Sequence, residues 1–317
     1  MTSSRRVPTA RFLLALSGLC FGLMAVLARR LSRGPGAFTA GQLSVVRFVL
    51  GALVSLVAFR LKPGLYCPHD VPRLVSRGLS GGLVVVLYFF ALARIPAGEA
   101  GLLYNLFPVV ASLMSVVAFG ERPTAHLWAG LFAATAGVTL VLGVSRARFG
   151  LGVGELAALG AAVFAATSAN VIRAMRGTDN APTIFFFFCL VGLPVVLPFA
   201  LDRWPWSFTA WALALAMGLA AYAAQVLMTE AYGALSVSEA AVWLQLTPVA
   251  QYALAIPLLG ERPSPVGMLG VLLAAAGVAY GTALGGAGPI RGEVAERGRD
   301  REVGPSRAVS RQGRDRR

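Results

Sequence analysis

Apolar residues gather along this chain into ten stretches of roughly twenty, each parted from the next by a few polar residues, glycines or prolines. They cover 10–31, 38–60, 76–94, 97–119, 125–145, 152–175, 182–201, 208–232, 236–259 and 264–284. A helix needs about 20 apolar residues to cross the hydrocarbon of a bilayer, so each stretch predicts one crossing. Composition agrees. Apolar residues make up 57% of the chain, only 13% is charged, and mean hydropathy is +0.71, whereas a soluble domain carries about a quarter charged residues. The fold class is an all-α polytopic membrane protein with ten transmembrane helices.

The pattern then repeats. Gly98-Glu99-Ala100, Asn105-Leu106-Phe107-Pro108 and Phe119-Gly120-Glu121-Arg122-Pro123 return 140 residues later as Ser238-Glu239-Ala240, Gln245-Leu246-Thr247-Pro248 and Leu259-Gly260-Glu261-Arg262-Pro263. Aligned without a gap, 91–143 and 231–283 share 15 identities in 53 positions, eight of them Glu, Pro, Gly or Arg, which apolar composition alone would not match. A fixed offset of this kind marks a duplicated unit. With five crossings per copy, the second copy enters from the opposite side, giving two inverted five-helix repeats, a hallmark of secondary transporters. The expected layout is a cytoplasmic segment 1–9, a first repeat 10–145, a loop 146–151, a second repeat 152–284 and a basic disordered tail 285–317.

Ten spans in two halves resemble the EamA family of the drug/metabolite transporter superfamily. The motifs that carry the resemblance are an apolar span ending in Leu-x-Pro-Val, then Gly-Glu, then a Gly-x-x-x-x-x-x-Gly-Val run, at 106–138 and again at 246–278, with the Arg47-Phe48 pair in the second span. The resemblance covers about residues 10–284. It implies a transporter of the cytoplasmic membrane that exports a small organic metabolite (amino acid-like, nucleobase-like or drug) by alternating access, without a cofactor.

Candidate site residues sit where polar groups interrupt the spans. Arg47 is the only Lys or Arg placed deep inside a crossing. A charge there costs about 2.5–3.5 kcal/mol on insertion scales and must face protein or water. It is read either as a substrate contact or as a structural cation bonded to carbonyls. Tyr222, Gln225 and Thr229 share one helical face in span eight, and Tyr88 lies at similar depth in span three. Gly101, Asn105, Pro108, Ser112 and Ser115 form a stripe in span four, matched in span nine by Ala241, Gln245, Pro248, Tyr252 and Ala255. Each mid-span proline removes a donor and displaces a carbonyl, which in hydrocarbon must find a partner or line a wet cavity. The expected cavity lies between spans three, four, eight and nine. Tyr88, Tyr104, Tyr222 and Trp243 would supply rings, and Asn105, Gln225 and Gln245 amides. Pro108 and Pro248 would open the backbone, and Arg47 would hold an anion nearby. The rival reading makes Asn105 and Gln245 glue between helices.

Other motifs read structurally. Ser236-Val237-Ser238-Glu239 has capping-box spacing, and Glu99 follows Pro96 at the positive end of span four. Each Gly-Glu-Arg-Pro makes a tight turn with a left-handed glycine, its charges at the interface. Glu230 either takes a proton or reaches the interface. Gly130, Ala134, Gly137 and Gly270, Ala274, Gly277, Gly281 let backbones approach closely, within a protomer or between two in a homodimer.

Three cysteines give no metal-ligand spacing, His69 and His126 fall in or beside different loops, and Asp70, Asp179 and Asp202 lie between spans. No nucleophile, base and metal carboxylates converge in the core, which argues against the alternative of a polytopic membrane enzyme. A non-transporting membrane scaffold would not need duplicated polar stripes. The net charge of +14 is partly the tail, whose nine arginines come with no stacking aromatic, so no nucleic-acid partner is expected. Placing both termini in the cytoplasm puts 19 of the 28 Lys and Arg on that side, as the positive-inside rule favours.

Overall fold

A computed structural model describes residues 3–33, 37–95, 97–142 and 152–285. Among these residues there is no strand, and the chain forms twelve α-helices. They are α1 (Ser3–Leu31), α2 (Ala40–Leu61), α3 (Val71–Leu92), α4 (Ala97–Tyr104), α5 (Phe107–Phe119), α6 (Ala125–Val141), α7 (Val153–Met175), α8 (Ala181–Val196), α9 (Phe208–Ala231), α10 (Val237–Leu244), α11 (Leu246–Leu259) and α12 (Pro265–Leu284). Nine segments of this set are long and apolar enough to cross a membrane, with α4–α5 and α10–α11 each counting as one; α6 is apolar but shorter, at 17 residues. The end of the expected fifth span and the tail beyond Gly285 lie outside the described residues, as does the Glu99 side chain.

Helix ends follow local chemistry, with two shifts from expectation. α1 begins at Ser3, so the expected amino-terminal segment is helical from its third residue. α3 begins at Val71 rather than 76 because Asp70 accepts from the Arg73 amide and Pro72 occupies the first turn. That shift buries Arg77 two turns inside the helix.

Spans four and nine are not kinked helices but pairs of helices, and the breaks precede the prolines. At each break an amide bonds three residues back instead of four: Leu106 to Leu103, and Gln245 to Val242. Both Gly-Glu-Arg-Pro turns form as the sequence predicts. Gly120 and Gly260 end α5 and α11 in the left-handed conformation, at φ 64° and 67°.

Inside a bilayer, lipid competes for apolar surface, so helices associate through close backbone packing and buried hydrogen bonds. The small residues of α6 and α12 do this within one chain. A methyl group on Gly130 would sit 2.6 Å from the Gly277 carbonyl, and one on Gly270 2.6 Å from the Gly137 carbonyl. Ser17 Oγ donates to the Ala224 carbonyl (2.8 Å), tying α1 to α9, and Ser80 bonds Ser168 (3.2 Å), tying α3 to α7. Phe12, Val57, Val117, Phe132 and Leu272 stand exposed on the outside, where a membrane protein meets lipid.

Two motif carboxylates depart from expectation. Glu121 is buried and accepts from the Val237 and Ser238 amides (2.9 and 3.2 Å) and from the hydroxyls of Ser238 and Ser115 (2.8 and 2.9 Å). It caps α10 from across the molecule instead of sitting at the interface. Ser236 also caps α10 by accepting from the Glu239 amide, but the Glu239 carboxylate does not close the box; it pairs with Arg11 Nε at 2.7 Å. A guanidinium within reach outcompetes a neutral backbone amide.

Candidate functional site

A cavity of about 620 Å³ lies within the bundle, walled by residues of α1, α2, α3, α4, α5, α7, α8, α9, α10 and α11. It reaches one end of the molecule, where Arg29 and Ser32 near the end of α1, Ala40 at the start of α2, Leu92 at the end of α3 and Leu142 just past α6 form its rim. The other end is shut. Tyr232, Leu235 and Val237 are fully buried there, next to the Glu121 cap.

Six of the expected residues line this cavity: Arg47, Tyr88, Tyr104, Asn105, Gln225 and Pro248. The rings of Tyr88 and Tyr104 lie against each other at 5.0 Å. Gln225 Oε1 accepts from Arg77 Nη2 at 3.1 Å. The Arg47 guanidinium carbon stands 5.1 Å from the Phe48 ring centroid and 5.9 Å from that of Phe188. Among the described residues its guanidinium donates only to the Met24 thioether, at 3.8 Å, a weak acceptor.

Four expected residues lie elsewhere. Gln245 is fully buried outside the cavity, accepting from Asn105 Nδ2 (3.1 Å) and donating to Thr135 Oγ1 (2.7 Å). Pro108 is buried in the first turn of α5, its carbonyl taken by Ser112 Oγ at 2.9 Å. Pro108 and Gln245 lie outside the cavity for one reason: the stripes assumed unbroken helices, and a break resets the 3.6-residue phase, so residues on either side no longer share a face. Tyr222 sits on unbroken α9 but turns toward α8, edge-on to Phe185 at 5.3 Å. Trp243 packs against the cluster that holds Leu131 and Val278, its indole N–H buried without a partner among the described residues. Glu230 is also outside; it pairs with Arg176 at 2.7 Å near the surface.

The residue the sequence reading missed is Arg77. It is buried, it lines the cavity, and its guanidinium carbon lies 4.0 Å from the Phe188 centroid. The signal was present. Asp70 followed by Pro72 is a helix-start pattern, and a helix from 71 carries Arg77 inward, so Arg47 is not the one arginine within the bundle.

An apolar helical bundle holding a largely apolar cavity with a few arginines and amides in its wall, open at one end, has the build of a membrane transporter. Residues 9–143 and 152–281 each match the EamA-like transporter family, and the chain belongs to that family. It is also similar to the pseudopaline exporter CntI of Pseudomonas aeruginosa, in strains PAO1 and UCBPP-PA14. Each comparison gives 29% identity over 223 residues, covering 69% of this chain and 77% of that protein. A crystal structure of a protein matches 87% of this chain and 97% of its own, with a TM-score of 0.74 at 23% identity, a likeness of fold.

Proposed function

We propose that this protein exports a small organic metabolite across the cytoplasmic membrane by alternating access between two inverted five-helix repeats, 10–145 and 152–284, with both termini in the cytoplasm. The observation that carries the reading is the cavity: about 620 Å³ within the bundle, open at one end and closed at the other. That volume suits a drug-sized molecule. The direction of transport draws support from the likeness to an exporter. The repeat reading draws support from the two separate family matches and from the matching turns at Gly120 and Gly260. In the alternate state, the contacts that shut the Glu121 end would open and the rim around Arg29 would close over the substrate.

The test compares compounds released into the medium by cells with and without the gene. A metabolite that disappears from the medium without the gene and returns with it supports export; an unchanged medium and unchanged uptake into vesicles would sink the reading. A carboxyl-terminal reporter active only outside the cytoplasm tests the orientation, and activity there would reverse it.

A further inference from the structure

The cavity is charged in one sense only. Three arginines line it, and among the described residues no Asp or Glu does. Arg29, at the rim, has its counter-charge in Glu261 (3.0 Å). Arg47 and Arg77, deeper inside, pair with no carboxylate among the described residues. The Nε groups of both are buried without a hydrogen-bond partner. Both guanidinium groups flank the same Phe188 ring, whose face gives them part of the lost solvation, and Gln225 takes one of the five N–H donors of Arg77.

An ionised group in a membrane interior is expensive unless a counter-charge or water meets it. Two like charges around one ring add repulsion. A cation entering would worsen both costs, and a neutral molecule could accept from the unmet Nε groups but would bring no counter-charge. An anion with one carboxylate would bring a single negative charge to two positive ones.

We infer that the transported metabolite is an organic anion bearing two acidic groups, which Arg47 and Arg77 hold while its carbon frame lies against the rings of Tyr88 and Tyr104. This rests on the export reading above and names the substrate class of that same cavity. Guanidinium suits the task because its planar fork can bind a carboxylate or phosphate through two parallel bonds.

The test begins with the compound found by comparing media from cells with and without the gene, whose ionisable groups are assigned by mass spectrometry and by retention on an anion exchanger. Two acidic groups support the inference. A neutral, cationic or singly acidic compound overturns it and leaves export standing; no compound at all overturns both. This readout needs no variant, so misfolding does not blur it. For variants present in the membrane at the parent's level, Arg47→Gln and Arg77→Gln should each slow export of that compound about thirtyfold or more, as expected for truncating one side of a desolvated charge pair. Export by both variants at the parent's rate would remove the two arginines from the site.

Discussion

Glu121 and Glu261 each follow a left-handed glycine and precede Arg-Pro, and the two turns have nearly the same backbone. Their carboxylates end in opposite surroundings. Glu121 is 3% exposed and accepts four hydrogen bonds, two of them from amides at the start of α10. The Glu261 side chain is 31% exposed and meets two arginines that are themselves half exposed, Arg29 at 3.0 Å and Arg33 at 3.4 Å. Local sequence thus fixes a turn but not the work of the charge it carries. That work depends on what the rest of the bundle brings alongside. At the closed end it is a helix start with free donors; at the rim of the cavity it is a pair of solvated cations.

The largest expected effect tests the buried side of this contrast. Glu121→Ala strips the α10 amides and two serine hydroxyls of their shared acceptor in a place water reaches poorly. Unmet buried donors cost about 1–3 kcal/mol each, so a loss of about 3 kcal/mol or more is expected, read as thermal or denaturant unfolding of the purified protein in detergent. If Glu121→Ala unfolds at the parent's midpoint, the cap contributes nothing and the two ends do not differ in this way.

A second pair of matched positions sharpens the lesson. Asn105 and Gln245 stand 140 residues apart and bond each other, yet only Asn105 lines the cavity. Replacing either with Leu leaves buried polar atoms unmatched, so each should cost on the order of 1–3 kcal/mol. Transport separates them. Per folded molecule in vesicles, Asn105→Leu should move less of the exported compound, while Gln245→Leu should match the parent. Equal transport by both would place Asn105 with Gln245 as a structural residue.

How much was legible follows the same division. The spans and their polar breaks could be read because a bilayer imposes a length on every crossing and tolerates few charges. The turns could be read because a left-handed residue favours glycine. The cavity could be read only in part. Asn105 and Pro248 line it while Pro108 and Gln245 do not, since helical phase carries across a break only if the break is known. Arg77 was missed because its helix was started five residues late, which made a buried cation look like a charge at the end of a span. The partner of Glu121 could not be found from sequence: α10 lies more than a hundred residues away, and no local pattern says which helix start a turn will face.

Where the two turns are alike, they should respond alike. A methyl group on Gly120 or Gly260 would meet no described atom within 4 Å, so Gly120→Ala and Gly260→Ala differ from the parent only in forcing an L side chain into the left-handed region. Each should lower stability by about 1–2 kcal/mol. The two losses should agree within measurement error, because the strain is local and neither neighbour is crowded. A much larger loss at Gly120 would mean that the turn and the Glu121 cap are coupled, and the backbone would then share in the difference between the two ends.

The smallest effect belongs to Glu261. Its partners Arg29 and Arg33 keep about half of their side-chain surface in solvent, so water and salt screen most of the attraction and long side chains lose freedom in forming it. Glu261→Ala should therefore cost less than about 1 kcal/mol, against the several expected at Glu121. Salt gives a second handle. Raising ionic strength to 1 M shortens the screening length to about 3 Å, which should bring the parent close to the variant, whereas the gap between the parent and Glu121→Ala should persist because a buried carboxylate is beyond the reach of screening ions. The measurement is the unfolding midpoint of the three proteins at low and high salt. A Glu261→Ala loss as large as that of Glu121→Ala, and as indifferent to salt, would show that the rim charge is held as firmly as the cap.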